Sequence, residues 1–321
     1  MAYSGRVITE SSAWYNHIYK RKGTCYGNDF CCAGGQVSPE AEPFIRSGGC
    51  LSCSLWKRIK WNGQVTVNGV PSYSANMPVR SGDRIVCTWQ EESDIIPSMG
   101  PLHVIYEDEW LVVVDKPAGQ IIHPTGRTVC DTLVNAVAGY YKRTGQKTGC
   151  HPVYRLDRNT TGLVVVAKSA FVQHHLTAEH DRIRRIYLAL TSGIPDPPSG
   201  MIDSPIGRKE GSIIEWTVRQ DGKEAVTSYH VLQKFTDYAL VALHLLTGRT
   251  HQIRVHMADM GHPLLGDDLY GGPCRLIGRQ ALHAAQVSFV HPVTGEKLLF
   301  TSPVPEDMAV LTGMVSETVF D

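Results

Sequence analysis

The chain has 321 residues, enough for one large and one small folded unit with an ample core. Its 31 basic and 31 acidic side chains cancel, which argues against a non-specific polyanion binder but leaves room for a basic cleft on a balanced surface. No apolar run approaches the ~18 residues of a membrane span. The start, MAYSGRVITESSAW, lacks a basic segment followed by a long apolar one, so a cytoplasmic protein with no membrane partner is expected.

Residues 1–50 show little periodicity and stay unassigned, a Cys-rich segment carrying Cys25, Cys31, Cys32 and Cys50. The nine cysteines of the chain are odd in number and scattered, which argues against a disulfide framework. Cys50 and Cys53 have metal-ligand spacing, but a second pair drawn from Cys25 with Cys31 or Cys32 is spaced too loosely. Reduced thiols and no metal are therefore expected.

From Leu51 the pattern sharpens. SLWKRIK opens as a short basic helix carrying Lys57, Arg58 and Lys60, Val65 to Val67 reads as a strand ending at an Asn68-Gly69 turn, and Arg84 to Trp89 reads as a second strand after Arg80-Ser-Gly-Asp83. Residues 51–95 so resemble the second half of an S4-type RNA-binding domain; the alternative is a small β-rich adaptor without RNA contact. Glu91 to Asp94, with Pro97 and Gly100, read as a linker.

A second unit, 102–321, begins with two strands around an acidic turn and the rigid loop Lys116-Pro117-Ala118-Gly119. Thr132 to Tyr141 has helical spacing. Strand signals recur at Leu163 to Ala167, Tyr187 to Leu190, Val226 to Leu232, Leu240 to Leu246, Val287 to Val290 and Leu298 to Thr301. Few helices separate them, so an α+β fold with a mixed, largely antiparallel central sheet is expected.

Two stretches carry candidate chemistry. In HPVYRLDRNTTGLVVVAKS, Asp157 stands between Arg155 and Arg158 before a Thr-Thr-Gly turn that feeds a buried strand. Two flanking cations favour the ionised carboxylate, which suits a nucleophile, a base or half of a surface salt bridge. In LTGRTHQIRVHMADMGHPLLGDD, Thr250 is placed to cap a helix over His251 to Met260 that ends at Gly261. His251 and Arg254 share a face of it and His256 does not, so a metal pair fails on geometry. There is no phosphate-cradling Lys-Ser or Lys-Thr loop, and His123-Pro124 and His291-Pro292 read as turns.

Taken together, these blocks resemble the RluA family of RNA pseudouridine synthases. Its R-L-D-x-x-T-S-G pattern is matched by Arg155 to Gly162 with Thr161 for Ser, and its K-x-Y strand by Arg185-Ile186-Tyr187 with Arg for Lys. G-R-T-H-Q-I-R-V-H and G-H-P-x-x-G-D are matched at Gly248 to His256 and Gly261 to Asp267, and L-H-A at Leu282 to Ala284. The opening K-P-A-G and H-P fall at Lys116 to Gly119 and at His123-Pro124. Tyr154 stands where that family often has His.

The resemblance implies an isomerase that detaches uracil from its ribose, turns it, and rejoins it through a ring carbon, with no cofactor. It implies that Asp157 is the catalytic carboxylate, that Arg254 pairs with it, and that Tyr187 stacks on uracil and serves the final proton removal. Arg155 is then the residue that takes the space of the flipped-out nucleotide or holds its phosphate, and Leu282 lines the base pocket. RNA is the implied partner, ribosomal RNA ahead of transfer RNA, for a monomeric enzyme. The alternative from another class is an RNA-binding assembly factor that has lost catalysis, which would have no need of Asp157, Tyr187 and Arg254 together.

Overall fold

The computed structural model describes residues 24–26, 29–31, 52–72, 83–89, 93–124, 131–177 and 183–313. In the N-terminal part, helix α1 (Cys53–Asn62) starts where the Ser52 hydroxyl accepts from the Leu55 N–H at 3.2 Å. It buries Leu55, Trp56 and Ile59 against a small sheet. That sheet runs β1 (Thr24–Tyr26), β2 (Asp29–Cys31), β5 (Arg84–Thr88), β3 (Gln64–Val67), β4 (Val70–Ser72) in spatial order. Asn68 and Gly69, at φ 52° and 82°, form the turn of two left-handed residues that fits the twist of the β3–β4 hairpin. The sequence reading of helix, hairpin and closing strand is met; Arg80, Ser81 and Gly82 lie outside the described residues. Strands β1 and β2 fall inside the segment left unassigned, three-residue pieces too short to show a period.

The larger part is built on a ten-stranded sheet. Its main path is β11 (Ser199–Asp203), β14 (Val226–Lys234), β15 (Tyr238–Leu245), β10 (Ile183–Ser192), β16 (Leu282–Val290), β9 (Thr161–Ala167), β7 (Leu111–Lys116) and β6 (His103–Glu107). β8 (His151–Pro152) pairs with β9, and β17 (Lys297–Thr301) with β16. Among the described pairings only β9 with β16 is parallel, as expected where hairpins rather than helical crossovers join the strands.

Strands β7 and β9 read as continuous apolar runs because both of their faces are covered. Leu111, Val113, Leu163, Val165 and Ala167 face one core, which also holds Phe171, Phe300 and the α1 residues. Val112, Val114, Val164 and Val166 face the other, shared with helix α2 (Leu133–Arg143). Thr132 caps α2 in a reciprocal box with Asn135. Residues 93–100 are docked rather than free: the Asn135 side chain donates to Ile96 O at 2.7 Å, and Ser98 N–H donates to Asn135 O at 2.9 Å.

Three further helices are α3 (Ala170–Thr177), α4 (Gln252–Asp259) and α5 (Glu306–Thr312). The sequence reading of α4 needs one correction. Thr250 does not cap it; His251 takes the left-handed conformation at φ 56° with no side-chain cap. The Gln252 side chain instead ties down the loop before the helix, accepting from the Arg249 N–H at 2.9 Å. The edge strand β11 and the hairpin β12 (Ile206–Arg208)–β13 (Trp216–Val218) were not expected: β11 is largely exposed, and the hairpin strands have three residues each, too few to show a period.

Candidate active site

Asp157 sits in the loop between β8 and β9, on a turn closed by the Thr160 N–H donating to Asp157 O at 3.1 Å. Gly162 fixes the exit of this loop. Its φ is +108°, and a Cβ there would stand 2.3 Å from Ala284 O, because β16 crosses in parallel against this point. Thr161, in place of Ser, keeps the hydroxyl and sets it 2.9 Å from His283 Nδ1.

Arg254 reaches this loop from α4, where it is 6% exposed. Its Nη1 donates to Asp157 Oδ2 at 2.9 Å, while Nε and Nη2 donate to the two oxygens of Asp267 at 2.7 and 2.8 Å. This is a bidentate fork on a fully buried carboxylate, the strongest form of the pair. Burial opposes the Arg254 charge, but the hydrogen bonds and charge of Asp267, with Asp157 behind them, hold it above the usual guanidinium range. One cation thus faces two carboxylates. Asp267 is spent on Arg254, and Asp157, with its side chain 24% exposed, keeps a negative charge open to a ligand.

His251 flanks the other oxygen, with Nε2 3.8 Å from Asp157 Oδ1. The Tyr270 hydroxyl accepts from the Trp216 N–H at 3.1 Å and lies 2.8 Å from His251 Nδ1. This bond holds the ring with Nε2 turned toward Asp157. Burial pushes His251 below the usual imidazole range, against the raising charge of Asp157. The Tyr270 ring also lies 5.0 Å below the Arg254 guanidinium.

Tyr187 enters from β10, buried in one core cluster with Leu156 and Leu282. Burial pushes its hydroxyl up, Arg185 works against this, and Asp157 adds to it. Lys116 completes the surroundings. Fully buried, it donates to Pro117 O and Gln120 O at 2.8 Å and to Arg158 O at 3.0 Å, strapping its own loop to that of Asp157. Burial pushes it down to about 7, while three carbonyl acceptors match the three donors of an ammonium group.

Asp157, Arg254 and Tyr187, 97 residues apart at the Asp–Arg contact, are thus brought together, with Leu282 beside them. The flanking arginines are not what holds Asp157. Arg158 is exposed and donates to Gly119 O at 3.0 Å, and Arg155 lines a cavity of about 380 Å³ with His123, Pro124, His151 and Gln173. Lys57 and Lys60 are exposed on α1, whereas Arg58 is half-buried. Asp267, Lys116 and Tyr270 were given no role from sequence. The first two did carry a signal, as the last residue of one matched block and the first of another.

The RNA pseudouridylate synthase family model matches residues 110–259. An uncharacterized RNA pseudouridine synthase of Bacillus subtilis, YjbO, is 39% identical over 81% of this chain and 94% of its own length. The ribosomal large subunit pseudouridine synthase D of Vibrio cholerae is 38% identical, over 82% and 86%. Among solved structures, human RNA pseudouridylate synthase domain containing 1 is 26% identical with a TM-score of 0.53, covering 64% of this chain and 84% of that one. The chain belongs to the RNA pseudouridine synthase family and is an isomerase of the RluA type.

Proposed function

We propose that this enzyme converts uridines of ribosomal RNA, with Asp157 as the carboxylate acting at the sugar. The observation that carries the role is the charge balance around Arg254: Asp267 already satisfies its fork, so Asp157 is oriented through a single bond and keeps its nucleophilic oxygen. Tyr187 stacks on the uracil and serves the late proton removal, and Leu282 closes the base pocket beside it. Arg155, exposed at its cavity, holds the backbone of the flipped-out nucleotide.

The ribosomal target rests on relatives named as large-subunit ribosomal enzymes. In the N-terminal part, Lys57 and Lys60 share one exposed face of α1 with Trp61, which is 82% exposed. Two cations beside an open aromatic ring suit phosphates and an unpaired base, which supports an RNA-binding role for this unit. The enzyme works as a cytoplasmic monomer; among the described residues no helix is long and apolar enough to cross a membrane.

Mapping pseudouridines in total RNA from cells with and without the gene tests the target. A site lost from large-subunit ribosomal RNA and restored by the wild type, but not by Asp157→Asn, is the expected result. A site lost from transfer RNA alone would overturn it.

A further inference from the structure

Two of the positions where the sequence departs from the matched blocks touch each other. The Arg185 guanidinium lies over the ring of Tyr154 at 5.0 Å. Arg185 is 8% exposed, forms no ion pair with a carboxylate of the described residues, and has a buried Nε with no hydrogen-bond partner among them. A buried cation without a counter-charge is costly, and an apolar side chain of similar volume would serve the core better. Stability of the fold does not account for it.

Arg185 stands two residues before Tyr187 on the same face of β10, and its charge works against the burial of the Tyr187 hydroxyl. The pairing shifts there because Ala285 is an extra residue on β16, while β10 stays regular and keeps Arg185 and Tyr187 on one face. Tyr154 is itself fixed, its hydroxyl donating to Leu163 O at 2.9 Å. Gly248 backs the guanidinium on the loop before α4.

We propose that Arg185, seated on Tyr154, is a positioning residue that sets the orientation and the ionisation of Tyr187 for the last step of the reaction. This rests on the role given to Tyr187 above. In that step the phenolate oxygen of Tyr187 takes the proton from the ring carbon now joined to the sugar. The C–H electron pair restores the ring double bond as the neighbouring carbon–nitrogen double bond gives its pair to the ring nitrogen freed from the sugar, which takes a proton from water, and the neutral phenol later returns its proton to water. A cation against the phenol oxygen favours the phenolate. The other groups near Tyr187 are the Asp157 carboxylate, which disfavours it, and Tyr154, whose hydroxyl burial pushes up; on β15, burial with Arg184 and Arg185 pushes His244 below the usual imidazole range.

The test is single-turnover kinetics on total RNA from cells lacking the gene, which carries the unmodified target whatever its class. Wild type, Arg185→Met, Arg185→Lys, Tyr154→Phe, Tyr187→Phe and the double variant Arg185→Met/Tyr187→Phe are compared from pH 6 to 10. Arg185→Met is expected to slow the chemical step about tenfold or more at pH 7.5, with unchanged RNA affinity. The rising limb of its pH profile should move up by about one unit. Arg185→Lys should recover most of the rate, and Tyr154→Phe, which keeps the ring, should stay within threefold. In the Tyr187→Phe background, Arg185→Met should cost nothing further. An equal loss in both backgrounds, an unmoved profile, or a loss confined to RNA affinity overturns the proposal. Full activity of Tyr187→Phe would instead overturn the role of Tyr187, and an inactive wild type the substrate reading.

Discussion

At the scale of single residues, the two carboxylates on Arg254 are expected to answer substitution in opposite ways. Asp157→Asn removes the half-open partner and leaves Arg254 paired with Asp267, so folding should be nearly unchanged. Turnover should nevertheless fall below about a thousandth of wild type, with RNA affinity within a few fold, because an amide is neither nucleophile nor base. Asp267→Asn strips a buried guanidinium of its fork and should cost about 3 kcal/mol in urea unfolding. Comparable destabilisation by both variants would contradict this division of labour. Tyr187→Phe should keep stacking and RNA binding while slowing the late step; normal turnover would leave the hydroxyl without a chemical role. Asp157 was legible because its block is dense in unusual residues, and Arg254 because its block follows in order. Their partners were not. Which cation meets Asp157 depends on how α4 packs across the sheet, and the neighbours in sequence, Arg155 and Arg158, point elsewhere.

At the scale of elements, the site depends on the seam where β9 and β16 run in parallel. His283 bridges it, with Nδ1 accepting from the Thr161 hydroxyl at 2.9 Å and Nε2 donating to Ser302 O at 3.3 Å. Burial pushes this ring from its ordinary 6.5 down to about 4. Between those values the unfolded chain binds a proton that the folded one refuses, so the stability is present above pH 6.5 and is lost as pH falls toward 4. The full loss amounts to about 3 kcal/mol. His283→Gln should be less stable at pH 7 but flatter through this window when unfolding is followed by urea at each pH. A slope as steep as wild type would place the acid loss elsewhere. The seam also shows what patterning can and cannot reveal. Runs such as Leu163 to Ala167 announce a strand buried on both faces, yet nothing local says that the strand beside it comes from residue 282 onward and runs parallel. Edge pieces such as β11 were missed because an exposed strand has no apolar face to alternate.

At the scale of the whole molecule, the N-terminal unit covers part of the core, and the RNA-binding role proposed for it separates from that cover by substitution. Leu55, Trp56, Ile59, Val67, Ile85 and Cys87 belong to one core cluster with Leu111, Val113, Phe171 and Phe300 of the larger part. Deleting residues 1–92 would bare that surface, at about 1.5–3 kcal/mol for each large side chain uncovered, so a lower melting temperature is expected even though the residues assigned to the chemistry all remain. Truncation therefore confounds binding with stability. Lys57→Gln with Lys60→Gln does not, since both side chains are exposed and lie away from that core. Each phosphate left without its lysine should reduce the slope of log affinity against log salt by about 0.7 to 0.9, so the double variant should flatten it by about 1.5. Trp61→Ala should weaken RNA binding without changing that slope, because stacking releases no counterions, and the intrinsic fluorescence change on binding should shrink with it. Maximal rate at saturating RNA should stay at the wild-type level in both, with the effect confined to the Michaelis constant. An unchanged salt slope in Lys57→Gln/Lys60→Gln, together with unchanged affinity in Trp61→Ala, would leave this unit a purely structural cover for the catalytic sheet.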